Sequence, residues 1–116
     1  MRYLLLIYEE GRRGDVTPED WRAMLQEYAT YTEWLSGTGW MGGGEALADV
    51  TDATTVSVRN GRRIVTDGPF AETKEILGGY FLLDAPDLDA AIEAAARIPG
   101  AKTGKIEIRP IMDGAG

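Results

Sequence analysis

The residues whose types and spacing suit chemistry best fall in one stretch, Asp67-Gly68-Pro69-Phe70-Ala71-Glu72-Thr73-Lys74-Glu75, which mixes a glycine and a proline with an aromatic ring and four charges. On a functional reading, Asp67 is a preorganised carboxylate beside a cleft, Glu72 and Lys74 contact a ligand, and Gly68, Pro69 and Phe70 shape the loop around it. A carboxylate pressed against aromatic and apolar surface holds its proton more tightly than in water and can act as a general acid or base. The same residues also suit a plain turn, in which Asp caps, Gly takes an unusual φ, Pro fixes φ and Phe anchors the loop. Both readings stand at this level. A second group lies upstream, where Tyr28, Tyr31 and Trp34 sit at helical spacing. Aromatics so spaced either pack in a core or line a ligand pocket. Tyr28 is the candidate acid, Tyr31 a candidate ligand contact, and Glu45, just after Gly42-Gly43-Gly44, a second carboxylate near a strand end.

What is missing narrows the chemistry further. The chain has no cysteine and no histidine. Disulfides, thiolate nucleophiles, sulfur-ligated zinc and the commonest general base and metal ligand are therefore excluded. Acid–base work falls to Asp, Glu, Tyr or Lys, and only a hard, oxygen-ligated cation would find ligands. No metal site and no cofactor are expected. The net charge of −7 argues against nucleic acid, and the pairs Arg12-Arg13 and Arg62-Arg63 read as solvated turn charges. The one N-terminal apolar run, Tyr3 to Tyr8, is too short to span a bilayer and lacks a secretory cleavage pattern, so a cytoplasmic protein with no membrane partner is expected.

At 116 residues the chain suits one hydrophobic core. We expect a single domain over residues 1–113, with 114–116 as a short tail. Residues 2–8 are apolar at both alternating sets of positions and read as a strand buried on both faces. Thr17-Pro18-Glu19-Asp20 reads as a helix start, with a cap, a first-turn proline and two acids at the positive end of the helix dipole. Trp21, Met24, Leu25, Tyr28, Thr32 and Leu35 form its apolar face, and Gly37 and Gly39 end it. The letters Gly37-Thr38-Gly39-Trp40-Met41-Gly42 match a dinucleotide fingerprint, but these glycines leave a helix and enter a strand, the reverse of the order that motif requires.

A strand over Trp40 to Leu47 follows. Two further strands, 54–59 and 62–66, flank Asn60-Gly61, the pairing a type I′ hairpin demands. Val56 then faces Val65 and Ser57 faces Ile64, with Val56, Val58 and Val65 on the side expected to meet the core. Residues 79–83 read as another strand apolar on both faces. Asp87 caps a second helix with Leu88, Ala91, Ile92 and Ala95 as its stripe, ended by Pro99-Gly100. Lys105 to Arg109 alternates cleanly before Pro110, as an edge strand does. The expected fold is α+β, a ferredoxin-like βαββαβ plan with an extra β-hairpin and both helices on one face of an antiparallel sheet. Alternate residues of 3–8 and 79–83 then lack cover, and a homodimer through that open sheet face is expected.

The nine-residue segment from Asp67, together with Met1–Tyr8, Gly43–Leu47 and Glu107–Ile111, resembles the DGPF-domain proteins of the YCII-related superfamily over nearly the whole chain. The resemblance implies a dimeric α/β barrel of ferredoxin-like protomers, a bacterial source and, for many relatives, genes beside extracytoplasmic-function sigma factors. Related YCII proteins are proposed to use a His–Asp pair in a cleft, and some relatives act as dehydrochlorinases or lyases. This chain carries no histidine, and Tyr28 falls roughly where the first-helix histidine of those relatives would lie. The expected function is that of a small-molecule-binding homodimer with a sigma-factor link. The alternative is a cofactor-independent lyase, isomerase or dehydrochlorinase-like enzyme with Asp67 as acid or base.

Overall fold

The computed structural model of the chain describes residues 1–11 and 15–112; the Arg12-Arg13 pair and the tail 114–116 lie outside the described residues. Local chemistry sets the ends of both helices. Helix α1 spans Pro18–Thr38, and Thr17 Oγ1 accepts from Asp20 N at 3.1 Å to satisfy one of the four free N–H groups of the first turn. At the other end, Gly39 takes φ 77° and its N–H donates to Ser36 O, so the helix runs through Gly37 and stops at the second glycine. Helix α2 spans Leu88–Ala96, with Asp87 Oδ1 accepting from Ala90 N at 2.8 Å.

Four strands form the main sheet: β1 (Arg2–Glu10), β2 (Met41–Ala46), β5 (Glu75–Asp84) and β6 (Lys105–Pro110). Their order is β2-β5-β1-β6 and every neighbouring pair is antiparallel, the ferredoxin-like arrangement, with Pro110 on an edge strand. The alternation of strand side chains sorts β1 and β5 into two faces. Tyr3, Leu5, Ile7, Phe81 and Leu83 are buried beneath the helices, together with Tyr31 and Leu35 of α1, Ala91, Ala94 and Ala95 of α2, and Ile98. Leu4, Leu6, Tyr8, Tyr80 and Leu82 occupy the opposite face and stay half-buried. A register shift between Ile7 and Tyr8 leaves Gly78 as an extra residue in β5.

The stripe read for α2 needs correcting. Leu88 and Ile92 are exposed, and Ala94 takes their place in the core. The helix lies close to the sheet, so its contact face is built from alanines, and the two larger side chains flank that contact.

The remaining strands, β3 (Thr54–Arg59) and β4 (Arg62–Asp67), form a separate two-stranded sheet. Asn60 (φ 53°) and Gly61 (φ 75°) make the expected two-residue turn, and Val56 pairs with Val65 and Ser57 with Ile64. The expectation that Val56, Val58 and Val65 meet the core fails, because they are 59%, 60% and 58% exposed. Neither strand joins the four-stranded sheet, so no helix lies over them. The radius of gyration, 16.1 Å, exceeds the roughly 13 Å of a compact chain of this length, as a projecting arm would cause.

Candidate functional site

Helix α1 meets the sheet unevenly. Its second half is pressed down by Tyr31 and Leu35, whereas Trp21, Met24 and Tyr28 in the first half are only half-buried and Leu25 is exposed. Beneath that first half the sheet presents small residues, Gly44 and Ala46 of β2 and Gly78 and Gly79 of β5. A bulky helix face above a floor without side chains leaves a cavity of about 290 Å³, with Ile7, Phe81 and the Glu9 side of β1 completing its walls.

Glu9 and Tyr28 line the cavity, and both also reach Gly100, which lies outside its lining. A Cβ placed on Gly100 would stand 2.9 Å from Tyr28 Oη, 3.1 Å from Ile7 Cγ2 and 3.2 Å from Glu9 Oε1, so the phenol and the carboxylate converge on this glycine. Glu9 shares the helix-covered face with Ile7 and Leu5, two and four residues earlier in the strand. An ionised carboxylate only accepts hydrogen bonds, and a phenol both donates and accepts. Sequence reading missed Glu9, because an acid closing an apolar strand looks like a strand terminator. Its even spacing from Ile7 was the available signal.

The structure separates the candidate residues. Tyr28 lines the cavity, and Glu45 borders it from edge strand β2, where its register partner is Tyr80 on the open face. Tyr31 does not line it. Its ring is buried against Phe81, with centroids 5.2 Å apart, and its hydroxyl donates to Ala94 O at 2.8 Å. Burial, reinforced by neighbouring Tyr28, pushes the Tyr31 phenol well above its ordinary value, so it keeps its proton.

The loop after β4 lies apart from the cavity. Asp67 is exposed at the strand end and lines neither depression described here. Gly68 closes the arm, its N–H donating to Ala53 O and its carbonyl accepting from Thr55 Oγ1. Pro69 and Phe70 border a wider depression of about 560 Å³ beside Tyr8, Leu47 and Leu77. Glu72 is exposed, and Lys74 pairs with Glu10 at 3.4 Å. Among the described residues no group of three or more acidic side chains gathers to hold a metal ion.

The family model of the YCII-related domain matches residues 1–114. The chain belongs to the YCII-related family. An uncharacterized protein of Rhizobium meliloti (strain 1021) is 39% identical over 115 residues, covering 96% of this chain and 92% of the other. The candidate residues therefore sit on a YCII-related fold in which a tyrosine and a glutamate occupy the helix-side cavity. No helix among the described residues is long and apolar enough to cross a membrane.

Proposed function

We propose that this YCII-related chain is a homodimer that binds a small, largely apolar molecule between α1 and the sheet. The cavity of about 290 Å³ carries the reading. A cavity of about 150 Å³ suffices for benzene, so this one suits a substituted or bicyclic aromatic ring. Glu9, Tyr28 and Glu45 make part of the wall polar, which suits a ring carrying a hydroxyl or amine, and the net charge of −7 disfavours an acid. The half-buried open face of Leu4, Leu6, Tyr8, Tyr80 and Leu82 supports the homodimer, since a contiguous apolar patch usually marks an interface. The sigma-factor association implied by the family resemblance would give such a binding module a regulatory setting.

The test is a thermal-shift panel of neutral and amine-bearing aromatics set against aromatic carboxylic acids, on wild type and Gly100→Ala. The first two classes should raise the midpoint by mass action and the acids should not. Gly100→Ala should shrink that rise and also lower the unliganded midpoint, because its new methyl meets the buried Ile7 Cγ2 at 3.1 Å as well as the ends of Tyr28 and Glu9. A wild type that no aromatic stabilises would reject the reading. The convergence of Tyr28 and Glu9 also favours a second reading, cofactor-free proton transfer with Glu9 as base and Tyr28 as acid. Turnover of a stabilising compound should then vanish in Glu9→Gln.

A further inference from the structure

The β3–β4 arm poses a physical problem. A lone two-stranded hairpin is marginal in water, and this one exposes Val56, Val58 and Val65 together on one face. Neither of its strands packs substantially on any other element. Beside the arm's root, Phe70 is 88% exposed, the most exposed large apolar side chain of the described residues. The arm is also electrically unlike the rest of the protein. Residues 54–66 hold Arg59, Arg62 and Arg63 and no acid, which leaves nine basic against nineteen acidic side chains elsewhere. None of the three arginines forms an ion pair among the described residues.

We infer that the arm is a clasp for a second copy of this chain, its basic tip and valine face lying against the acidic, apolar body of the partner. This rests on the homodimer proposed above and names the element that holds it together. Two observations choose a second copy over an unrelated protein. Charge complementarity is built into the chain itself, a tip of +3 facing a remainder of −10. Of the acids beside the open face, Glu45 makes no ion pair among the described residues, whereas Asp84 and Glu107 pair with the Met1 amine and Arg109. Area points the same way. Four strands about 4.8 Å apart and about six residues long give the open face a flat footprint of about 400 Å². Stable interfaces bury about 800 Å² per partner, so the sheet alone supplies about half of that and the arm supplies a second patch.

Sedimentation velocity from nanomolar to micromolar concentration, at about 0.05 M and about 0.5 M salt, tests this. The proteins are wild type, a triple arm variant (Arg59→Glu, Arg62→Glu, Arg63→Glu) and a valine variant (Val56→Ser, Val58→Ser, Val65→Ser). Wild type should dimerise more weakly at high salt. The arginine variant should lose about tenfold or more in dimer affinity at low salt and recover part of it at high salt, because the tip then repels the acidic body and salt screens that repulsion. The valine variant should weaken the dimer and keep the salt dependence. Because the chain has no cysteine, Thr54→Cys carrying a benzophenone label, exposed on the valine face two residues before Val56, reports contacts directly, and ultraviolet light should yield cross-linked dimers. A wild-type dimer unaffected by both variants, with no cross-linked dimer, would overturn the clasp and leave the sheet-to-sheet dimer standing. A monomeric wild type would overturn both.

Discussion

Replacing Tyr31 by Phe removes one oxygen from the core and separates a structural role for this residue from a ligand-binding one. The carbonyls of the last turn of α2 lack helical donors, and two of them, Glu93 O and Ala95 O, are satisfied by Arg97 N and Ile98 N. Ala94 O receives the Tyr31 hydroxyl at 2.8 Å. Without it, a buried acceptor loses its partner, at a cost of about 1–2 kcal/mol. For a chain of this length that lowers the melting midpoint by about 4–8 °C at fixed protein concentration.

The loss should depend on pH. Tyr31 is raised from 10.0 in the fold, so its stabilising contribution is complete below pH 10 and fades as pH climbs toward the folded value. Above pH 10 the unfolded chain releases this proton and the native one keeps it, costing wild type about 1.4 kcal/mol per pH unit. The Phe variant has no such proton, and the other tyrosines titrate in both proteins. Urea unfolding at pH 8 should therefore show the variant weaker by about 1–2 kcal/mol, with the gap closing by about 1.4 kcal/mol by pH 11. Equal stability at pH 8, or a gap unchanged to pH 11, would refute the assignment of Tyr31 as a buried donor to α2.

Leu35, on the sheet-facing side of α1, is completely buried, so Leu35→Ala should cost about 3–4 kcal/mol in urea unfolding; a loss under about 1 kcal/mol would mean that α1 is not clamped there. Asp67→Asn should shift stability by less than about 0.5 kcal/mol, because Asp67 is exposed and backbone bonds at Gly68 close the loop. It should also leave the thermal shift by any cavity ligand unchanged, and a lost shift in that variant would return Asp67 to the binding site.

The sequence by itself determined the features that depend on neighbours a few residues apart. Thr17 and Asp87 cap the helices where their side chains reach the first-turn amides, and Asn60-Gly61 sets both the turn and the Val56–Val65 register. The strand and helix order, with β1 and β5 apolar on both faces, dictates the ferredoxin-like sheet. Tertiary structure alone decided which apolar surfaces are covered. Val56 and Val65 alternate as core residues do, yet among the described residues no element lies above them; Leu88 and Ile92 fit a helical stripe, yet close packing gives the contact to alanines. The candidate site divides the same way. Tyr28 was legible from helical spacing, whereas Glu9 and Gly100 lie 91 residues apart and meet only because the sheet and the turn after α2 bring them together. Periodicity reports which way a side chain points along its own element; only long-range packing sets what stands opposite it.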